Sequence, residues 1–406
     1  MKRVFYGWWV VLICGFIGCV KTGIVSFGFT AFFEPLVKEF GWSYAQISFA
    51  TSLRGVEMSF FAPIIGFLVD RFGSKKLIFS GVITVGFGLF LLSVTQSLMM
   101  FYGAFLLLAF GAGGVGGVVL MTTVATWFDR NMTKAFAVVS GLSVAGGLIV
   151  PLIVWIIDVY QWRTAFIILG LGVWILGIPL SFLIKDRSEH DGSSLNGKHL
   201  HGSTVHRKEQ PRGSGIGLKE ALKHKAFISL SIVEITRHMI TSSVVLHVMP
   251  YLSSVGISRT TAGMVAGVIP VFSIVGRFGF GWIGDTLDKR YRMAAGFVLI
   301  AAGLLGLCFV QQGWAVLISV FFLSSGWGGS MILSRTIQAE YFKKEYFGRM
   351  LGILMGFGSI GGIIGPTLAG WVFDHLASYQ FVWLLFSGFS VLSIWMILRM
   401  KPSKPS

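Results

Sequence analysis

The chain has 406 residues, of which 54% are hydrophobic and only 12% are charged, and its formal net charge is +16. A soluble domain carries about 25% charged residues, so this composition excludes an ordinary water-soluble protein and indicates a membrane protein. The three cysteines, at positions 14, 19 and 308, lie in apolar segments without disulfide or metal-binding spacing, and we expect no metal and no cofactor.

Apolar segments long enough to cross a membrane follow one another along most of the chain. Each has about the 17–25 residues that a hydrocarbon core of about 30 Å requires. They predict an all-α membrane protein with twelve transmembrane helices, at residues 8–33, 45–69, 77–96, 98–122, 135–157, 164–184, 226–250, 260–284, 293–311, 314–334, 347–373 and 379–398.

A polar segment at residues 185–225 interrupts this pattern. It is rich in serine, glycine and basic residues, a composition typical of linkers. It predicts a cytoplasmic linker between an N-terminal six-helix half, residues 1–184, and a C-terminal six-helix half, residues 226–406.

The lysines and arginines predict the orientation. If the N-terminus is cytoplasmic, 26 of the 33 fall in the cytoplasmic connections and termini, and three fall outside. The positive-inside rule therefore predicts a multi-pass protein of the cytoplasmic (inner) membrane with both termini in the cytoplasm. This topology explains the net charge, and we expect no nucleic-acid partner.

The chain also repeats itself. GFLVDRFGSKK at 66–76 matches GWIGDTLDKR at 281–290 with an offset of 215 residues, and the segment at 127–151 matches the one at 341–366 if one residue is inserted in the second copy. This predicts two parallel six-helix pseudo-repeats, an architecture in which substrate binds between them at the midplane.

The repeated motif resembles the loop signature of the major facilitator superfamily. The resemblance implies the fold of that superfamily and a transport function. It also implies gating loops in which acidic and basic residues hold one conformation closed. The expected gating residues are Gly66, Asp70, Arg71, Lys75, Gly281, Asp285, Lys289 and Arg290.

Further segments narrow the resemblance. RVFYGWWVVL at the start, SFGFTAFFEPLVKEFGWSYAQIS at 26–48, WFDRNMTKAFAVVSGLSVAGG at 127–147 and the arginine within PVFSIVGRFGFG at 270–281 are similar to the monocarboxylate transporter and oxalate/formate antiporter families. The resemblance implies proton symport of a small monocarboxylate such as lactate or pyruvate. The alternative is an organic-anion exchanger of the oxalate/formate type.

Two departures weaken parts of that resemblance. Animal-type monocarboxylate transporters carry an aspartate where this chain has Ser273, four residues before the arginine. The oxalate/formate exchangers carry a lysine in span eleven, and residues 347–373 contain none. The proton acceptor and the choice between symport and exchange therefore stay open.

Arg277 is the main candidate for binding substrate. It lies eight residues, or about 12 Å along a helix, before the loop acid Asp285, and no acid lies three or four residues from it on its own helix. A guanidinium matches a carboxylate with two parallel hydrogen bonds. We therefore expect Arg277 to bind the substrate, with pairing to an acid of another helix as the alternative.

Further candidates are ranked below Arg277. Lys21 is the second candidate cation, and Trp327 and Phe357 are expected either to line the pocket or to pack as ordinary core residues. Arg54 and Glu57 are spaced to pair on one helix, as are Glu234 and Arg237. The proton-coupling candidates are Glu234, Arg237, His238 and Glu57, and His247 is expected to be a packing residue.

The sequence shows no nucleophile–base constellation, phosphate-binding loop or metal-ligand spacing, so we predict that the chain is not an enzyme. A transporter-like sensor and a multidrug exporter are other classes, disfavoured by the two copies of the loop motif and by the absence of an acid before Glu34 in span one. The expected partners are a small organic monoanion, protons and the lipid bilayer, and we expect the chain to act as a monomer.

Overall fold

The computed structural model describes residues 6–56, 65, 68–69, 71–128, 132–184, 225–282, 288–309, 313–341 and 347–400. Every regular element in these ranges is a helix. A helix hydrogen-bonds its own backbone groups, which a segment surrounded by lipid needs because no water is available to it. The all-α prediction is confirmed for this part of the chain.

The α-helices are numbered here in chain order. They are α1 (Tyr6–Lys21), α2 (Phe33–Phe40), α3 (Tyr44–Val56), α4 (Ser74–Ser93), α5 (Leu98–Gly114), α6 (Gly117–Ala125), α7 (Met132–Ala145), α8 (Val150–Leu183), α9 (Lys225–Ser254), α10 (Arg259–Trp282), α11 (Lys289–Phe309), α12 (Gly313–Tyr341), α13 (Phe347–Leu376) and α14 (Gln380–Leu398). A π-helix (Thr22–Phe27) and a 3-10 helix (Gly28–Phe32) join α1 to α2, and a second 3-10 helix (Gly146–Ile149) precedes α8.

Within these described ranges, nine helical stretches are long and apolar enough to cross a membrane. The protein is therefore a multi-pass membrane protein. The number of twelve spans and the side on which the termini lie stay predictions. Residues 57–64, 66 and 67 of the predicted span at 45–69 and nearly all of the predicted linker at 185–225 lie outside the described residues.

One predicted boundary is wrong in an informative way. The predicted span at 314–334 ends too early, because α12 continues to Tyr341. The predicted interruption between spans five and six, at residues 158–163, contains Gln161, where φ is 67° and ψ is 159° and where two helical stretches of α8 meet. One residue in a conformation that L-residues seldom adopt thus separates the two stretches.

Contacts divide the chain into two units, of which the first holds residues 1–22, 60–146 and 163–215. In this unit α4 packs on α5. The indole of Trp174 lies against Gly86 and donates a hydrogen bond to the carbonyl of Ile83 at 3.1 Å. Glycines at such contacts let helix backbones approach closely, as is typical of membrane proteins.

The second unit holds residues 23–59, 147–162 and 216–406. In it α9 and α3 pack on α13, α12 packs on both α10 and α11, and α14 packs on α11. This grouping reflects contact density and not the sequence repeat, so the division into two six-helix halves at residues 1–184 and 226–406 stays a prediction.

Within the second unit, α10 and α12 touch through glycine. A Cβ added at Gly276 would lie 1.9 Å from the carbonyl oxygen of Ser325, and one added at Gly328 would lie 1.9 Å from that of Ser273. These contacts are between backbones and cannot be relieved by a side-chain rotation. They set the position of Arg277 against α12.

We expect Gly276→Ala to lower the melting temperature of the purified protein, because overpacking a tight contact costs about 1–3 kcal/mol. Gly279→Ala on the same helix is the matched control, since nothing lies within 4 Å of a Cβ there. Equal melting temperatures for the two variants would contradict the observed contact between α10 and α12.

Candidate functional site

Helix α9 carries a buried ion pair. Glu234 and Arg237 lie three residues apart, with 4% and 2% of their surfaces exposed, and Arg237 Nη2 donates to Glu234 Oε2. Spacing of three residues places two side chains on one helix face. The pairing expected from the sequence is thus present, and each charge stabilises the other away from water.

Helix α12 completes the coordination of this carboxylate. Ser334 Oγ donates a hydrogen bond to Glu234 Oε1, and Gln338 Nε2 lies 3.4 Å from the same oxygen and 3.0 Å from Ser334 Oγ. Ser334 and Gln338 are four residues apart and therefore share one face of α12. Both oxygens of Glu234 have partners, which a buried carboxylate requires.

His238 lies beside the ion pair on α9. Its Nε2 is 3.7 Å from Glu234 Oε2, and 37% of its side chain is exposed, whereas Glu234 is almost fully covered. The imidazole also touches Gly358 of α13, whose added Cβ would lie 2.6 Å from His238 Cδ2. His238 is thus the accessible titratable neighbour of a buried carboxylate.

Two further arginines flank the ion pair. Arg277 on α10 is half-buried, its Nε is buried without a hydrogen-bond partner, and the charge of Arg237 acts on it. Arg335 on α12 is also half-buried, and it interacts electrostatically with both Glu234 and Arg237. We call Glu234, Arg237, His238, Arg277 and Arg335 the basic cluster, because it holds three guanidinium groups against one carboxylate.

The expectation for Arg277 can be compared directly with this geometry. Among the described residues, Arg277 has no ion pair, and the alternative in which an acid of another helix neutralises it has no support there. Its charge is instead repelled by Arg237. A half-buried cation of this kind is costly unless an anion joins it.

The two predicted pocket aromatics lie on neighbouring elements of the same unit. Phe357 of α13 makes an edge contact with Phe227, with ring centroids 6.1 Å apart, and precedes the glycine that touches His238. Trp327 precedes Gly328, which contacts the backbone of Ser273, one turn before Arg277. Both rings are half-buried, and their role in binding stays a prediction.

Lys21 belongs to the first unit. It ends α1, is half-buried, and lines a small apolar cavity of about 20 Å³ together with Phe16 and Val20. Its assignment as a second substrate ligand stays a prediction.

The predicted gating residues are only partly described. The described residues do not include the gating residues Gly66, Asp70 and Asp285, nor the proton-coupling candidate Glu57. Gly281 lies near the end of α10. The guanidinium of Arg71 is exposed and lies over the ring of Phe72. Lys75 lies in the first turn of α4, and Lys289 begins α11.

Arg290 has well-defined partners at the start of α11. Its Nε lies 3.1 and 3.0 Å from the two carboxylate oxygens of Asp288, and its Nη1 donates to the carbonyl of Met400. The side-chain hydrogen bond from Arg290 lowers the pKa of Asp288 below its ordinary value. Arg290 thus connects the start of α11 to the end of the segment after α14.

A second polar network, which the sequence did not predict, surrounds Arg259 at the start of α10. Arg259 Nη1 lies 3.0 Å from Glu34 Oε2, Nε lies 2.7 Å from Asp158 Oδ1, and Nη2 donates to the carbonyl of Ala31 at 2.5 Å. Arg259, Glu34 and Asp158 line a cavity of about 540 Å³. From the sequence alone, Arg259 is only a charge in an outer loop, and its ion pairs were therefore missed, although both acids, Glu34 and Asp158, are present in the sequence.

His247 is the centre of a third buried group. Its Nε2 lies 2.9 Å from both Pro366 O and Ser48 Oγ, and its Nδ1 lies 2.9 Å from Tyr379 Oη. A carbonyl only accepts, so Nε2 carries the proton and Nδ1 accepts from the tyrosine hydroxyl. The expectation of a satisfied packing histidine is confirmed.

The sequence missed three members of the basic-cluster region, namely Ser334, Arg335 and Gln338. The predicted span ended at 334, which left Arg335 in a loop. The polar pair Ser334 and Gln338 at helical spacing was the available signal. Among the described residues, no group of three or more His, Cys, Asp or Glu side chains could hold a metal ion.

Comparisons with known proteins agree with this architecture. A sequence profile of the Major Facilitator Superfamily matches residues 11–310 and 238–406. The chain is 25% identical over 414 residues to monocarboxylate transporter 12 of Xenopus laevis, covering 95% of this chain and 86% of that protein. It is 22% identical over 380 residues to monocarboxylate transporter 13 of Bos taurus, covering 92% of this chain and 84% of that one.

Solved structures show the same fold. The crystal structure of a bacterial homologue of the human lysosomal transporter Spinster aligns with a TM-score of 0.77 and 14% identity, covering 98% of this chain and 97% of that one. The resemblance inferred from the duplicated loop motif and the prediction that the chain is not an enzyme are both confirmed by the family match. The chain belongs to the major facilitator superfamily, and it is a multi-pass membrane transporter.

Proposed function

We propose that this transporter carries small monocarboxylates of the lactate and pyruvate type across the cytoplasmic (inner) membrane in symport with protons. The observation that carries the proposal is Arg277, a half-buried arginine without an ion pair in the described part of the chain. The relatives of this chain that are named monocarboxylate transporters support the proposed substrate class.

The chemistry of Arg277 favours a single carboxylate. Placing an arginine at the centre of a membrane helix costs about 2.5–3.5 kcal/mol on insertion scales. A bound carboxylate neutralises that charge and accepts two parallel hydrogen bonds from the guanidinium fork. The substrate thus supplies a counterion for Arg277, because Glu234 is already paired with Arg237. Lys21, Trp327 and Phe357 are the further residues proposed to contact the substrate.

The basic cluster also supports proton coupling. An anion bound at Arg277 adds negative charge beside Arg237, which competes with Glu234 for that guanidinium. A carboxylate that loses a nearby cation binds a proton more tightly. Glu234 is therefore the proposed proton acceptor and Arg237 its resting partner, with His238 and Glu57 as alternatives.

The remaining expectations complete the proposal. Two six-helix halves alternate access around the site, both termini lie in the cytoplasm, and the motif residues around Asp70 and Asp285 bias the two conformations. The transporter acts as a monomer and binds no nucleic acid.

A second candidate is exchange of organic anions of the oxalate type. One observation favours it: Arg335 adds a third guanidinium to a cluster with a single carboxylate. A dianion would use that surplus charge, whereas a monoanion would use one arginine at a time. The two functions therefore differ in the number of charges on the preferred substrate.

The first prediction concerns substrate and coupling. Purified protein in proteoliposomes should take up labelled lactate and pyruvate, and an inward proton gradient should drive their accumulation. Unlabelled oxalate should compete orders of magnitude more weakly, because a second desolvated charge without a partner costs several kcal/mol. Protein-free liposomes are the control. Oxalate as the tightest competitor, without stimulation by the gradient, would favour the exchanger instead.

The second prediction concerns Arg277. Arg277→Lys should lower kcat/KM for lactate at least tenfold, about 1.4 kcal/mol of transition-state stabilisation, because an ammonium cannot make the two-pronged contact. Arg277→Ala should lower it further. Arg399→Lys is the matched control, since the Arg399 guanidinium stacks on Trp395 at the end of α14. Near-normal uptake by both Arg277 variants would refute the assignment.

The third prediction concerns Glu234. Glu234→Gln should abolish accumulation driven by a pH gradient while exchange of lactate between preloaded vesicles continues, because glutamine accepts no proton. Glu234→Asp keeps an ionisable group and should retain part of the coupling. Gradient-driven uptake that is unchanged in Glu234→Gln would remove Glu234 from the mechanism. His238→Gln then tests the alternative acceptor.

A further inference from the structure

Arg335 has no ion pair among the described residues, unlike three other arginines of the second unit. Arg237 is paired with Glu234, Arg259 with Glu34 and Asp158, and Arg290 with Asp288. Within the described ranges, Arg335 has no hydrogen bond or ion pair, although it is half-buried near Glu234. In this respect it resembles Arg277, and the substrate proposal does not use it.

Arg277 and Arg335 share one charged neighbour, the buried Arg237. The charge of Arg237 acts on Arg277 and also on Arg335. Arg237 itself is 2% exposed and held by Glu234, so an anion cannot reach it without breaking that pair. Arg277 and Arg335, both half-buried, are the guanidinium groups of the basic cluster that an anion can reach.

Helix geometry places the two arginines at different depths. Gly276 contacts Ser325 and Gly328 contacts Ser273, so Arg277 lies level with the middle of α12. From Trp327 to Arg335 is eight residues, about 12 Å along the helix axis, and from Arg335 to Tyr341 is six residues, about 9 Å. Arg335 therefore lies between the level of Arg277 and the end of α12.

The side chains around Arg335 are suited to weak, transient binding of an anion. Glu234 is already saturated by Arg237, Ser334 and Gln338, so it is not available to pair with Arg335. His238, with 37% of its side chain exposed, interacts electrostatically with Arg335. An incoming carboxylate thus meets a cation and an imidazole, and its competitor Glu234 is held by other groups.

We propose that Arg335, together with His238, forms a second anion subsite at which the carboxylate of the substrate is held on its way between Arg277 and the Tyr341 end of α12. This inference rests on the proposed monocarboxylate function and adds a transit step to it. A monoanion occupies Arg277 or Arg335 in turn, and the positive charge of Arg237 acts at both positions. The ligand class of the subsite is a small carboxylate with one negative charge.

The two subsites have different chemical requirements. Arg277 binds through the geometry of its fork, so lysine does not replace arginine there. Arg335 acts by attracting an anion, and attraction needs only the charge. Lysine should therefore replace arginine at position 335, a result that a purely structural role for the planar guanidinium would not give.

The test uses full-length protein with four substitutions: Arg335→Gln, Arg335→Lys, Arg277→Lys and, as a control for charge removed elsewhere, Arg399→Gln. Initial rates of lactate uptake into proteoliposomes are measured at about 0.01 M and about 1 M ionic strength, where the Debye length is about 30 Å and 3 Å. Equilibrium binding of lactate to each purified variant gives the Kd.

We expect Arg335→Gln to lower kcat/KM about five- to tenfold at low ionic strength and much less at high ionic strength, with Kd within twofold of wild type. Arg335→Lys should restore the rate, Arg277→Lys should lose both rate and binding, and Arg399→Gln should resemble wild type. Unchanged rates in Arg335→Gln, no rescue by lysine, or a loss of binding as large as that of Arg277→Lys would overturn the transit subsite.

Two further outcomes separate this inference from the proposed function. If wild type takes up neither lactate nor pyruvate, the proposed function fails and the transit step with it. If wild type transports lactate but succinate competes at least tenfold more tightly than lactate, and Arg335→Gln removes that advantage, the two arginines hold one dianion together. That result would overturn a transit role while leaving transport itself established.

Discussion

The organisation of the candidate site depends on one carboxylate that has left water. Glu234 is buried, and its charge is tolerable because Arg237, Ser334 and Gln338 satisfy both of its oxygens. Breaking a buried pair by removing one partner costs about 3–5 kcal/mol, and the hydrogen bonds from Ser334 and Gln338 connect α12 to the same carboxylate. With Glu234 committed in this way, Arg277 and Arg335 have no ion pair among the described residues.

The excess of three arginines over one carboxylate in the basic cluster connects stability with the proposed function. A protein that neutralised every buried charge internally would be more stable but would have no affinity for an anion. Here each member of the buried pair requires the other, and the half-buried arginines beside it are the groups that we propose to bind the ligand. The close glycine contacts between α10 and α12 keep these two functions adjacent, because they fix Arg277 against the helix that carries Ser334 and Arg335.

Much of the helical architecture could be predicted from hydropathy alone. The predicted span at 260–284 corresponds to α10, Arg259–Trp282, and the span at 379–398 corresponds to α14, Gln380–Leu398. Hydropathy predicted an interruption at residues 158–163, where Gln161 leaves the helical conformation, but it could not predict the π-helix at Thr22–Phe27, a change of backbone conformation within apolar sequence. It also ended α12 too early, because the last turns of that helix are polar.

The candidate site was predictable where the relevant spacing lies on one helix. Glu234 and Arg237 were recognised as a pair from their separation of three residues, and Arg277 was recognised from the lack of such a neighbour. Ser334, Gln338 and Arg335 were missed because the predicted span ended at residue 334. The helical spacing of Ser334 and Gln338 was a local signal, but their partner Glu234 is defined only by the packing of α12 against α9. The same holds for Arg259, whose partners Glu34 and Asp158 lie more than 100 residues away in the sequence.

The network around Arg259 has a consequence for dividing the chain into fragments. A polypeptide that began at residue 226 would retain Arg259, Asp374 and His247. It would lack Glu34 and Asp158, the amides of Tyr44 and Ala45 that the Asp374 carboxylate binds at 2.8 and 2.9 Å, and the hydroxyl of Ser48. The C-terminal segment alone would therefore leave these polar groups without the partners that they have in the full chain. Split versions of this protein would need both pieces in the same membrane, because each piece carries the hydrogen-bond and ion-pair partners of the other.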